Sequence, residues 1–196
     1  MHAFSSSIRA PSVLITVPFS PQAPFANWDS LHEEACEEMS LILVHHYLEQ
    51  TPLSPEQAEQ EVQEMIAWEH EHGYGDDVTA LQLGEIASKF YGYHWRLLSD
   101  PTAPLLQDEL SKGTPVIVPA AGRLLHNPYY SGAGPWYHML VVTGYTQDGF
   151  ITNDTGTKRG EKYFYATDVL MRAMHDWTGV KENIEQGAKT ALVIER

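Results

Sequence analysis

The sequence is poor in cysteine, in basic residues and in long apolar runs, and each shortage excludes something. A single cysteine, Cys36, stands among 196 residues. One thiol cannot close an internal disulfide, which argues against a stapled secreted scaffold but leaves the compartment open. Lys and Arg total 12 against 26 Asp and Glu, a formal net charge of −14. Phosphate recognition needs clustered cations, so neither nucleic acid nor an anionic membrane surface is an expected partner. The apolar runs are short, as in MLVVTGY (139–145), and no segment is expected to span a bilayer. The start, MHAFSSSIRAPSVLITVPF, lacks a long apolar stretch ending at a cleavage site, so no signal peptide is read in this chain.

What is present is a globular composition, with 43% hydrophobic and 11% aromatic residues. A chain of 22.0 kDa holds one domain with a real core. Residues 1–11 read as a flexible N-terminal tail and 12–196 as a single domain. SVLITVPF (12–19) alternates like a short strand. Helical spacing of Ala35, Met39, Ile42, Leu43 and Tyr47 predicts a helix from about Ala35 to Leu48. Ser54, Pro55 and Gln57 form a capping box that starts a helix running to about His72. TALQ (79–82) starts another, ended near Tyr91 by Gly92.

After that the period changes. Strands are predicted at 93–98, 115–120, 137–145, 149–154 and 161–166, with a hairpin turn at QDG (147–149). A short helix precedes Gly113, another covers 167–177, and KTALVIER closes as a strand. Helices first and antiparallel strands afterwards read as α+β, an N-terminal helical half packed on a C-terminal sheet.

Cys36 stands where a helical pattern begins. A helix N-terminus offers free N–H groups and a partial positive charge, which favour a thiolate. Glu33, Glu34, Glu37 and Glu38 oppose that effect. Ser30 and Glu33 also form a capping-box pattern that would place Cys36 in a second helical turn. The reading adopted is a helix starting nearer Glu34, with the Ser30 pattern a coincidence or a separate short turn.

A thiol nucleophile needs a base, and the base an orienting group. Ten histidines compete. His45 and His46 lie about 13 to 15 Å along the helix from Cys36, too far to act. His70 and His72 belong to a solvated helix end. His138 opens an apolar strand, and Asp154 ends the next one, so a hairpin makes them neighbours. A core histidine satisfied by a carbonyl and a turn aspartate in NDTG are the bland alternatives. Alternation points Asn153 the other way.

The segments EACEEMSLIL, GTPVIVPA, YHMLVVTGY and ITNDTGTKRGEKYFYATDVLMRAMHDW, in that order, resemble the papain-like cysteine peptidases. The similarity is nearest to family thirty-nine, whose best-known members trim double-glycine leaders from bacteriocin precursors. The resemblance spans about Val17 to Trp177. It implies a papain-like fold, Cys36 as nucleophile, His138 as base and Asp154 as orienting residue. It also implies a peptide or protein substrate, no metal or organic cofactor, and work at the cell envelope or outside the cell. Two departures stand out. Glu37 replaces the glycine usual after the cysteine. Ser30 lies near where the oxyanion-hole glutamine belongs, and Gln22 is the nearest upstream glutamine to take that role, the Cys36 N–H being the second donor. Tyr129, Tyr130, Trp136 and Tyr137 either line the substrate cleft or are loop packing.

The leading function is therefore a cysteine peptidase. The same residues would serve an amidase or acyltransferase. A catalytically silent peptide-binding module on the same fold is the alternative from another class. A metal protein is the weakest reading, with no His-Glu-x-x-His and no second cysteine. Oligomeric state is not legible.

Overall fold

The computed structural model describes residues 10–196. The expected tail therefore lies, apart from Ala10 and Pro11, outside the described residues. The elements follow the predicted order: β1 (Val13–Leu14), α1 (Ser30–Glu33), α2 (Cys36–Glu49), α3 (Pro55–Glu71), α4 (Ala80–Ile86), β2 (His94–Ser99), α5 (Ala103–Ser111), β3 (Val116–Ala121), β4 (Tyr137–Tyr145), β5 (Gly149–Asn153), β6 (Tyr163–Ala166), α6 (Thr167–Ala173) and β7 (Thr190–Glu195). The seven strands form one antiparallel sheet in the order β2-β7-β3-β4-β5-β6, with β1 laid against β4.

Local chemistry sets the helix ends. Ser54 and Thr79 each accept from the backbone N–H three residues on, and Gln57 and Gln82 return the bond, so α3 and α4 begin in complete capping boxes. The helix predicted to reach Tyr91 changes character on the way. Its last turn, Ala87–Tyr91, is a π-turn closed by Gly92 at φ 80°. Gly84 lets α4 lie against Trp95, because a Cβ there would meet the indole at 2.5 Å.

α2 is buried along its whole first half, Cys36 to Val44, and packs on β4. Every residue of β4 is also buried, so this strand is covered on both faces. The core runs through α2, β3, β4 and β7, with α4 against β2 and β7 and α6 against β3, β5 and β6.

Two predicted elements are shorter than expected. The strand at 12–19 pairs for only two residues, and the chain then turns in on itself, with Val17 N–H donating to the Ile15 carbonyl. The helix at 167–177 ends at Ala173, because Met174 turns extended, bridges Ala120 and lets His175 N–H donate to the Pro119 carbonyl. The next residue, Asp176, joins the two halves. Its carboxylate accepts from the Ala80 N–H that begins α4 (3.0 Å), the Tyr137 hydroxyl (3.1 Å) and the Thr190 hydroxyl (3.0 Å).

Candidate active site

Cys36 is the first residue of α2, and Ala35 is the N-cap. The acidic stretch before it folds as a separate short turn, α1. The cap of α1 is Asp29, whose Oδ1 accepts from the Leu31 and His32 N–H groups, and not Ser30. The Ser30 pattern thus corresponds to a separate turn, and Cys36 opens α2, where a first-turn N–H has no acceptor within the helix. His32 secures α1 by placing its ring between Asp29 Oδ1 (2.7 Å) and the Glu59 carboxylate on α3 (3.1 Å).

The thiol is nearly enclosed, with 4% of Cys36 exposed, at the floor of a cleft of about 680 Å³. Met139 N–H donates to Sγ at 3.2 Å, so the sulfur sits against β4 one residue past His138. Sγ in turn donates to Glu37 Oε2 at 2.9 Å. Glu37 is fully buried, and its other oxygen accepts from the Val78 N–H. Burial pushes the Cys36 thiol well above its ordinary value, and the adjoining Glu37 carboxylate pushes it the same way. Burial, with Glu38 nearby, also raises the Glu37 carboxyl well above the usual range.

Of the four glutamates around Cys36, Glu33 and Glu34 face solvent, whereas Glu37 and Glu38 are inside. Glu38 lies against Glu69 of α3. Burial lifts Glu38 to about 7 and Glu69, beside the Glu38 charge, to about 11.

His138 and Asp154 meet as the hairpin predicts, Nε2 to Oδ1 at 2.8 Å, both fully buried. Asp154 follows directly on β5. Its Oδ1 also accepts from Gly156 N–H (3.1 Å), and Oδ2 accepts from the Tyr130 hydroxyl (2.7 Å), the Tyr165 hydroxyl (2.5 Å) and Asn127 Nδ2 (3.0 Å). Burial alone would raise its pKa. His138 and the two tyrosines outweigh burial and hold it at about 2. With Nε2 committed to Asp154, Nδ1 is the imidazole nitrogen left for other chemistry. Asn153 points elsewhere, donating to the Val17 and Pro18 carbonyls.

Gln22 does return to the cleft that Cys36 and His138 line, held by its N–H to the Thr155 carbonyl. Its side-chain amide is engaged there, Nε2 donating to the His32 carbonyl (2.8 Å) and the Glu33 carbonyl (3.0 Å) at the end of α1. Trp136 and Tyr137 line the same cleft. Trp136 lies under the Arg123 guanidinium at 3.4 Å, and Tyr137 is fixed by its hydroxyl, whose one hydrogen is shared between the Val78 carbonyl (2.9 Å) and Asp176. Tyr129 and Tyr130 also border the cleft.

Sequence reasoning missed Asn127, Tyr165 and Asp176, which act across separations of 27 residues or fewer from Asp154 and up to 96 residues between Asp176 and α4. The alternation of YFYA marks Tyr163 and Tyr165 as sharing a face, which is the one local signal available.

The model of the Peptidase_C39 like family matches residues 14–184. The chain belongs to the Peptidase_C39 like family. Among solved structures, this family member is similar to one described as a C39-like peptidase from Bacillus anthracis. The two share 13% identity with a TM-score of 0.63, covering 95% of this chain and 98% of that one. It also matches xylellain, a cysteine protease from Xylella fastidiosa, at 16% identity over 95% of this chain and 86% of that one, with a TM-score of 0.38. At these identities the first likeness bears on the fold alone, and the second carries no argument. No curated protein matches the chain in sequence.

Proposed function

We propose that this Peptidase_C39 like protein is a cysteine peptidase that cleaves peptide bonds through Cys36, His138 and Asp154. The observation that carries the reading is the 2.8 Å bond between His138 Nε2 and a fully buried, ionised Asp154, set one residue from the backbone N–H that touches the Cys36 sulfur. An ionised carboxylate on one ring nitrogen fixes the tautomer and stabilises the imidazolium. Nδ1 then takes the thiol proton as Sγ attacks the peptide carbonyl. The resulting imidazolium protonates the leaving amine, and an acyl-enzyme remains. Water, deprotonated by neutral His138, attacks the thioester and frees the acid and the thiol. The Cys36 N–H at the start of α2 faces the developing oxyanion. Trp136 and Tyr137 form a rigid wall for the substrate chain. An amidase or acyltransferase would use the same steps with a different leaving group or acceptor.

A second reading has its own support. The thiol is bound to Glu37, and the Gln22 amide is committed to backbone carbonyls, both of which suit a peptide-binding module without turnover.

The test is incubation with a mixed peptide library and mass spectrometry of the products. Cleavage by the native protein, lost in folded Cys36→Ala and in His138→Ala, supports the peptidase. Cleavage persisting in Cys36→Ala removes the nucleophile assignment. Retention of intact peptides without cleavage favours the binding module.

A further inference from the structure

Among the described residues, His45, His46 and Glu61 are the group of three whose ligand atoms, one from each side chain, lie within 4.8 Å of one another. Cys36 takes no part, since His45 and His46 lie about 13 to 15 Å further along α2. The two histidines are in the last turns of α2, and Glu61 projects from the second turn of α3, across the short Gln50–Ser54 connection.

The hydrogen bonds fix which nitrogens are available. The Tyr93 hydroxyl gives its one hydrogen to Glu49 Oε1 at 2.7 Å. It therefore accepts from His45 Nδ1, 2.9 Å away, and His45 carries its proton on Nδ1. The His45 Nε2 lone pair is thereby left bare. The ring is also held flat against Tyr91, with centroids 4.0 Å apart and planes 8° from parallel. His46 Nδ1 meets the Thr51 hydroxyl at 2.8 Å, a group able to donate or accept. His46 Nε2 faces both oxygens of Glu61, at 3.0 and 3.1 Å.

This is the arrangement of metal ligands with their supports. Each ring has its far nitrogen tied to a hydroxyl, and the Tyr93 hydroxyl relays to a carboxylate. In a tetrahedral zinc site the ligand atoms stand about 3.3 Å apart, given Zn–N and Zn–O distances near 2.0–2.1 Å. The His46–Glu61 separation is within a few tenths of an ångström of that. Nearby, the buried Tyr91 hydroxyl has no hydrogen-bond partner among the described residues. The neighbouring cation, Arg196, is neutralised by Glu49.

We propose that His45 Nε2, His46 Nε2 and the Glu61 carboxylate form a binding site for a divalent metal of the zinc type, which clamps α3 to α2 away from the cleft. Binding at Nε2 moves the His46 proton from the side that faces Glu61 to Nδ1, by exchange with solvent, and the Thr51 hydroxyl turns to accept from Nδ1. Two histidines and one carboxylate leave a fourth position for water.

The experiment uses full-length Cys36→Ala protein, so that the thiol cannot ligate. It is loaded with Zn²⁺ at pH 7.5, desalted and assayed for metal, and its Tm is compared with and without Zn²⁺. Co²⁺ serves as the spectroscopic probe. The expected result is one equivalent retained, a Tm rise of roughly 5–10 °C at ~100 times Kd, and the visible absorption of a four-coordinate Co²⁺. All three should disappear when His45→Gln or Glu61→Gln is added. Both altered residues are only half-buried, and the metal-free Tm of each variant reports that it folds. No retained metal and no Tm shift would overturn the proposal. So would uptake unchanged by both substitutions, since the metal would then be held elsewhere, as by His70 and Asp76.

Discussion

The Cys36 thiol donates to the carboxylate of its own neighbour, Glu37, at 2.9 Å. The residue directly after the cysteine thus favours the sulfur in its protonated form. Replacing the acceptor with a donor should reverse that. In Glu37→Gln, the amide oxygen keeps the Val78 N–H and the amide nitrogen donates to Sγ. Iodoacetamide alkylation at pH 7 should rise about tenfold for each unit by which the thiol pKa falls. An alkylation profile against pH that overlays the native one would show that Glu37 does not hold the thiol.

Gly156 lies against the His138 ring in the cleft that Cys36 also lines. A Cβ there would stand 3.0 Å from His138 Cε1 and 3.0 Å from Tyr130 Cε1. Gly156→Ala must therefore push the imidazole, and shifts of under an ångström cost reaction rate steeply. Peptide cleavage should fall at least ~10-fold with little change in Tm. Undiminished cleavage would mean the ring is not held where the chemistry requires it.

Asp154 sets an acid limb of stability. Its folded pKa is about 2 against an ordinary 3.8, so its contribution is complete above pH 3.8 and is lost as pH falls toward 2. The loss is on the order of 2 kcal/mol. Urea midpoints measured from pH 5 to pH 2 should fall more steeply in the native protein than in Asp154→Asn. Parallel curves would contradict the ionised carboxylate.

The Glu38–Glu69 pair works in the opposite direction. Glu38 is raised from 4.5 to about 7, so the folded state holds a proton that the unfolded chain gives up. Stability from this group is full below pH 4.5 and is lost as pH rises through 7, with Glu69, at about 11, extending the loss into alkali. The protein should be more stable at pH 5 than at pH 8. Glu69→Gln should flatten that slope and stabilise at pH 8, by an amount on the order of 3 kcal/mol. A slope as steep as the native one, or steeper, would contradict the raised Glu69 carboxyl.

Much of the fold was legible because its signals are local. Capping boxes at Ser54 and Thr79 mark the starts of two helices to the residue, and the hairpin of β4 and β5 with its QDG turn brings His138 to Asp154. The start of α2 is readable to within two residues, expected near Glu34 and found at Cys36. What was not legible came from distance. Nothing local tells that Tyr130, Tyr165 and Asn127 converge on one carboxylate oxygen. Nothing in HEEACEE tells that Glu38 meets Glu69 of α3 and that Glu37 meets the Val78 N–H ahead of α4. His45 and His46 looked like an unsupported pair, because their third neighbour, Glu61, comes from the facing helix. Gln22 was rightly drawn toward the cleft, yet its donors go to the α1 carbonyls that the loop presents on arrival.

The order β2-β7-β3 places β7, the last strand of the sheet in sequence, between two strands that precede it. β2 meets the rest of the sheet only through β7, by a six-residue register from His94–Glu195 to Ser99–Thr190. During synthesis, then, β2 and the helices around it wait for a partner until residue 195 has been added. Thr190 of that same strand completes the bonds to Asp176 that tie down the start of α4. Closure of the sheet is a late, long-range event, which predicts slow folding.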